Sequence, residues 1–145
     1  VKISIENVGP DKEEEIVIRC HEINDEILGL MRRFKNQSTS LIGYDDTTIY
    51  QLRIPDVYYF ESVDNKVFIY CRDRVYESRQ KLYELEQLTG GKKFFRASKS
   101  VILNITKIAC VKPSISGRFE ASMDNGETVV VSRQYVPVLK AMLGL

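Results

Sequence analysis

Phe94-Phe95-Arg96-Ala97-Ser98-Lys99-Ser100-Val101-Ile102-Leu103-Asn104 is the stretch on which the reading of this chain turns. Aromatics and an apolar run bracket a short polar, basic segment. The aromatics are expected to anchor in a core while Arg96, Ser98 and Lys99 project from a loop. Guanidinium, ammonium and hydroxyl groups held in that way suit phosphate oxygens and base edges. Residues 92–118 hold Lys92, Lys93, Arg96, Lys99, Lys107, Lys112 and Arg118 without one Asp or Glu, in a chain whose formal net charge is only +1. A solvated basic face carries the same signature, so charge by itself does not decide the function.

Length and composition narrow the field. A chain of 145 residues is large enough to bury a proper core and is usually one domain. Gly and Pro are scarce and no low-complexity tract is present, which argues against disorder. No apolar run approaches the roughly 20 residues that span a bilayer. The opening Val1-Lys2-Ile3-Ser4-Ile5-Glu6 lacks the apolar core of a signal peptide. Cys20, Cys71 and Cys110 are odd in number and widely spaced, and the only His is His21 beside Cys20. A zinc site needs closely spaced ligand pairs, so the expectation is reduced, buried structural thiols in a cytoplasmic protein, with no metal.

Charge is uneven along the chain. Residues up to Asp45 carry more Asp and Glu than Lys and Arg, with Glu13-Glu14-Glu15 the densest run, and the balance turns positive from Asp46 onward. This suggests an accessory part over residues 1–38 followed by a functional part over 39–145, with the boundary at the polar run Asn36-Gln37-Ser38-Thr39-Ser40. The first part reads as a β-β-α element. Lys2–Glu6 alternates with Ile3 and Ile5 on one face, Gly9-Pro10-Asp11 signals a turn, and Glu15–Cys20 alternates again. From Ile23 to Phe34, Ile23, Ile27, Leu30, Met31 and Phe34 recur at helical spacing, with Asn24 or Asp25 as the cap.

The second part is mainly β with accessory helices. Strands are expected at Leu41–Tyr44 and Thr47–Leu52 around an Asp45-Asp46 turn, at Tyr58–Glu61 after Pro55, at Val67–Cys71 and at Val75–Glu77. Ser78 reads as the cap of a short helix through Leu82, Leu85 and Leu88 that Gly90-Gly91 stops. Strands then follow at Ile105–Val111, Arg118–Met123 and Thr128–Val131, the last pair joined by Asp124-Asn125-Gly126. Ser132–Leu143 closes as a helix whose first turn Pro137 makes irregular. Short strands with tight turns imply a sandwich-like β fold, class α+β, carrying a few helices.

Four blocks in this order resemble the LytTR DNA-binding domain: Ile54-Pro55-Asp56-Val57-Tyr58-Tyr59-Phe60-Glu61, Leu82-Tyr83-Glu84-Leu85-Glu86, Phe95-Arg96-Ala97-Ser98-Lys99-Ser100-Val101-Ile102-Leu103-Asn104 and Val131-Ser132-Arg133-Gln134-Tyr135. The resemblance covers about the last two-thirds of the chain. It implies an elongated sandwich of small β-sheets with flanking helices, and bacterial transcriptional regulation. It further implies loops inserted into successive major grooves of double-stranded DNA, at direct repeats occupied by a homodimer. By the same resemblance, base reading falls to Lys66 (or Asn65, one residue earlier), to Lys99 and to Arg133. Lys and Arg both donate to guanine O6 and N7, Arg bidentately. Arg96, Ser98, Ser100 and Ser132 are the candidates for phosphate contact.

Each candidate has a structural rival. Ser132 is equally suited to cap the last helix, Arg96 to pair with a carboxylate such as Glu61, and Asn104 to stabilise a turn. Family members usually carry a receiver domain that accepts a phosphoryl group, for which the first forty or so residues are too few. A stand-alone regulator is therefore expected, response-regulator-like only in its DNA-binding part. Its N-terminal element would set dimer contacts or receive a signal from a membrane-protein regulator. The alternative is a protein-interaction module that titrates another regulator or a membrane partner without binding DNA. An enzyme is disfavoured, because no Ser-His-Asp set, ligand pair or phosphate-cradling Gly loop is present, and no small-molecule cofactor is expected.

Overall fold

The computed structural model describes residues 1–36, 40–91 and 93–145, and divides the chain into two compact units, Val1–Asn36 and Gln37–Leu145. The expected boundary around residues 37–39 and the basic residue Lys92 lie outside the described residues. In the first unit the helix forms as read: α1 spans Asp25–Asn36, and Asn24 caps it by accepting the Ile27 N–H at 3.0 Å. The Gly9 turn is also present, closed by the Lys12 N–H on the Gly9 carbonyl at 3.0 Å. The two expected strands are not. Lys2–Glu6 and Glu15–Cys20 have the alternation of strands but pair with no strand among the described residues, and Ile3, Ile5 and Ile16 are 86%, 91% and 69% exposed. Alternation specifies a face; only a neighbouring strand supplies the ladder, and an isolated pair is marginal in water.

The second unit holds, among the described residues, a seven-stranded and a three-stranded antiparallel sheet. The larger contains β1 (Ser40–Asp45), β2 (Thr48–Arg53), β3 (Tyr59–Val63), β4 (Lys66–Tyr70), β5 (Val75–Ser78), β6 (Phe94–Ser98) and β7 (Val101–Asn104). Its order is β2-β1-β5-β4-β3-β7-β6. The smaller contains β8 (Ile108–Pro113), β9 (Phe119–Met123) and β10 (Thr128–Val131) in the order β10-β9-β8. Helix α2 spans Leu82–Thr89 and α3 spans Val136–Met142.

Strand β7 explains the apolar run Val101-Ile102-Leu103-Asn104, because all four residues are buried. Val101 and Leu103 enter a core shared with Ala121, Met123, Val129 and Val131 of the small sheet and Val136 and Leu139 of α3. Ile102 enters the opposite core, with Phe60 and Ile69 of the large sheet and Leu82 and Leu85 of α2. A strand covered on both faces reads as a continuous apolar run rather than as an alternation. The same period of two runs through β6. Phe95 and Ala97 face the first core, while Phe94 packs against the second, its ring centroid 5.8 Å from that of Phe60.

Asn104 is 1% exposed and fully engaged. Its Nδ2 donates to the Val57 carbonyl at 2.8 Å, and its Oδ1 accepts the Thr106 N–H at 3.0 Å and the Thr106 hydroxyl at 2.7 Å. It stabilises a turn. The Asp124-Asn125-Gly126 turn joins β9 to β10, with Gly126 at φ +92, and Asn125 Nδ2 donates to the Arg72 carbonyl at 3.1 Å.

Two boundaries differ from the sequence reading. Ile105–Lys107 form a single 3-10 turn, so β8 begins only at Ile108. Ser78 ends β5 and its hydroxyl accepts the Gln80 N–H at 3.1 Å, while α2 starts at Leu82 with Glu84 accepting the Lys81 N–H at 3.2 Å. The hydroxyl closes a turn ahead of the helix instead of capping it.

Candidate nucleic-acid interface

The sheet topology brings the turns that carry Lys66 and Lys99 to one end of the larger sheet. Strands β3 and β4 pair with Val63 opposite Lys66, so their hairpin tip is Asp64-Asn65, both left-handed at φ 50 and 64. Strands β6 and β7 turn at Lys99-Ser100, and β7 pairs with β3 so that Val101 lies opposite Glu61. The Ser62 N–H donates to the Ser100 carbonyl at 2.8 Å, which joins the two tips directly. Lys66 and Asn65 therefore sit on the hairpin next to the Lys99 turn, and all three are exposed.

Arg133 comes to the Lys99 turn from elsewhere in the chain. Ser132 follows β10, and its N–H and its hydroxyl both donate to the Ala97 carbonyl of β6, at 2.8 and 3.2 Å. That pair of hydrogen bonds ties the segment before α3 to the strand before Lys99. The Ser132 hydroxyl is thus used for this tie and makes no side-chain cap to the following turn, Arg133–Tyr135. Ser98 closes the Lys99 turn itself, its hydroxyl accepting the Ser100 N–H at 3.2 Å.

One open cleft is lined by Ser98, Lys99, Ser100, Ser116, Arg118, Ser132, Arg133 and Gln134. Among the described residues three cations line it and no carboxylate does, while an adjoining cleft that shares Ser98, Ser100, Arg118 and Ser132 reaches Glu61. Arg118, Ser116 and Gln134 had no assigned role from the sequence, although Arg118 ends the basic stretch. The signal for them was Ser116-Gly117, between β8 and β9. Both residues are left-handed, at φ 59 and 75. A Cβ on Gly117 would lie 3.0 Å from Arg133 Cδ and 3.1 Å from Arg133 Cγ. The bare backbone of Gly117 is the surface on which the Arg133 stem rests.

Arg96 is placed differently from the expectation of a loop residue. It lies within β6, on the face toward α2, with its side chain 21% exposed. Its guanidinium pairs with Glu86 of α2, not with Glu61, and Nη1 donates to the Lys99 carbonyl at 2.6 Å. Glu61 instead lies by the Tyr70 hydroxyl, at 3.4 Å. The basic stretch is likewise dispersed in space. Lys112 pairs with Glu120 at 3.4 Å and Lys107 sits 5.3 Å from the Tyr58 ring centroid, while Lys99 and Arg118 share the cleft with Arg133.

Two antiparallel sheets, turns carrying Lys66 and Lys99 at one end of the larger sheet and a cleft lined by three cations fit a β-type nucleic-acid-binding domain. The chain belongs to the LytTR family: the model of the LytTr DNA-binding domain matches residues 47–144. A solved LytTr DNA-binding domain from Bacillus cereus superposes with a TM-score of 0.70 at 27% identity, covering 74% of this chain and 98% of that domain. Among curated proteins, the sensory transduction protein LytT of Enterococcus faecalis (strain ATCC 700802 / V583) is 31% identical over 111 residues, which are 77% of this chain and 45% of that protein. The chain thus spans about half the length of that relative. An uncharacterized HTH-type transcriptional regulator of Staphylococcus aureus (strain bovine RF122 / ET3-1) is 26% identical over 137 residues, 93% of this chain and 92% of the relative. Among the described residues no helix is long and apolar enough to cross a membrane.

Proposed function

We propose that this chain is a sequence-specific, DNA-binding transcriptional regulator that occupies direct repeats as a homodimer in the bacterial cytoplasm. Its working part is 39–145, with 1–38 as an accessory element. Lys99 and Arg133 read base edges from the shared cleft, and Lys66, or Asn65 beside it, reads from the neighbouring hairpin tip into the next stretch of major groove. Arg118 and the hydroxyl groups of Ser98 and Ser100 donate to phosphate oxygens, as the Ser132 hydroxyl does once it turns from the Ala97 carbonyl; these contacts fix register without reading sequence. Arg96 acts through Lys99: its bond to the Lys99 carbonyl and its pairing with Glu86 hold the reading turn against α2, so it is a positioning residue.

The observation that carries this reading is the meeting of Lys99, Arg118 and Arg133 in one cleft without a carboxylate, from segments that are distant in sequence. Selection of bound molecules from a pool of random duplexes at near-physiological salt tests it. The expected result is enrichment of a spaced direct repeat, lost in Lys99→Ala and in Arg133→Ala. Weak, salt-sensitive binding with no enriched sequence would remove the proposal of base reading.

A further inference from the structure

We propose that Gly117, in the turn between β8 and β9, is a positioning residue that holds the Arg133 side chain in a single reading orientation. The inference rests on the base-reading role of Arg133 given above and names the device that such a role requires. The Arg118 N–H donates to the Ile115 carbonyl at 3.2 Å and the Ser114 N–H to the Arg118 carbonyl at 2.8 Å, which closes a tight turn over Ser116-Gly117. Both central residues are at positive φ, 59 and 75, as in the I′ turn of β-hairpins. That turn favours Asn, Asp or Gly at both places, so Ser116 holds a conformation that its own side chain disfavours. Backbone of this kind persists where the surroundings over-determine it, and it clusters at functional sites.

The turn delivers a glycine against a side chain from another segment. A Cβ added at Gly117 would have Arg133 Cδ, Cγ and Cβ as its three nearest neighbours, at 3.0, 3.1 and 3.8 Å. The Arg133 stem therefore runs along the bare backbone of Gly117. The root of that stem is fixed separately, because the Ser132 N–H donates to the Ala97 carbonyl at 2.8 Å. Among the described residues no carboxylate pairs with the Arg133 guanidinium, so its direction is set by what the stem rests against. A long side chain already laid on a surface loses less rotamer freedom on binding, and its planar fork keeps one orientation. Bidentate donation to guanine O6 and N7 needs that orientation. A methyl group at position 117 fills the shelf and displaces the stem. The guanidinium then keeps its charge and loses its aim.

The test measures affinity of the full chain for its selected duplex and for duplexes changed one base pair at a time. Gly117→Ala is expected to lose roughly tenfold in discrimination at the same base pair that Arg133→Ala ceases to discriminate, with the salt slope unchanged. Added to Arg133→Ala, it is expected to change affinity by less than about twofold, since the two act as a unit. Gly126→Ala controls for backbone strain: Gly126 is at φ +92, but an added Cβ meets nothing within 4 Å, so discrimination stays as in wild type. Spin relaxation of the Arg133 Nε–H without DNA is expected to show an ordered side chain that Gly117→Ala loosens. The wild-type half of that measurement needs no variant to fold. Full discrimination in Gly117→Ala, an equal loss in Gly126→Ala, a full further loss in the Arg133→Ala background or a disordered wild-type Arg133 would each overturn the proposal. A wild type that discriminates no base pair, with Arg133 ordered by Gly117, would count against base reading alone. Intact discrimination with a disordered Arg133 would count against this proposal alone.

Discussion

Replacing Arg96 by glutamine separates a phosphate ligand from a positioning residue. The structure gives Arg96 two engagements: the pairing with half-exposed Glu86, and the 2.6 Å bond from Nη1 to the Lys99 carbonyl. An ion pair this accessible contributes at most about 1 kcal/mol, and a charge-assisted hydrogen bond about 1.5–3 kcal/mol. Losing both is expected to lower stability by about 2–3 kcal/mol, the shorter glutamine amide retaining part of the second. If the bond to Lys99 is what orders the reading turn, about 1.5 kcal/mol reappears as roughly a tenfold loss of affinity for a cognate duplex. The salt dependence carries the distinction. A neutralised phosphate contributes about 0.9 to the slope of log K against log salt, so a phosphate ligand removed would flatten the slope by that amount. A positioning residue removed leaves the slope nearly unchanged. The companion variant Glu86→Gln sharpens the contrast through its sign. Deleting a carboxylate near DNA would ordinarily tighten binding, whereas loosening the clamp on Arg96 is expected to weaken it. Fluorescence anisotropy titrations at several salt concentrations measure both. A slope shallower by about 0.9 in Arg96→Gln, together with tighter binding by Glu86→Gln, would refute the reasoning.

Further perturbations follow from the same geometry. Arg133→Ala is expected to cost about 1–3 kcal/mol on a cognate site and to relax base preference at one position; equal losses on cognate and random DNA in competition assays would mark a phosphate contact instead. Asn104→Ala leaves the buried Val57 carbonyl without its donor at 2.8 Å and is expected to destabilise by about 2–4 kcal/mol in urea unfolding, a loss below about 1 kcal/mol being incompatible with its role. Cys20 and Cys110 are exposed rather than buried as expected, and only Cys71 is partly covered. Burial, with Asp56 nearby, pushes the Cys71 thiol up to about 11, so alkylation near pH 8 is expected to be slower there than at the other two, as peptide mapping would show. Because the fold favours the neutral thiol, its contribution to stability is present below the ordinary thiol value of 9.0. That contribution is lost as pH rises through about 11.

Much of the architecture was legible in short-range patterns. The Asp124-Asn125-Gly126 hairpin, the helical stripe of α1 with its Asn24 cap and the irregular entry to α3 are all set by chemistry between near neighbours in the chain. By contrast, β6 and β7 were not among the expected strands, because a run buried on both faces has no alternation to mark it. The N-terminal strands show the limit of that reasoning. Lys2–Glu6 carries the period of a strand as clearly as Val67–Tyr70 does, but only the second has strands on either side to satisfy its backbone.

The candidate site divides along the same line. Residue chemistry singled out Lys99 within the basic segment, and the family resemblance added Arg133 and suggested base reading for both. Neither could say that Arg96 faces α2 while Lys99 faces solvent, since that depends on which side of β6 the helix covers. Nor could they bring in Arg118, or the contact between Gly117 and the Arg133 stem, which arises where the β8–β9 turn meets the segment after β10. Local sequence thus determined the turns, the helical stripe and the chemical character of the candidate readers, because those rest on backbone preference and side-chain type. The tertiary structure decided which cations share a cleft and which are neutralised, because both depend on the positions of segments far apart in the chain.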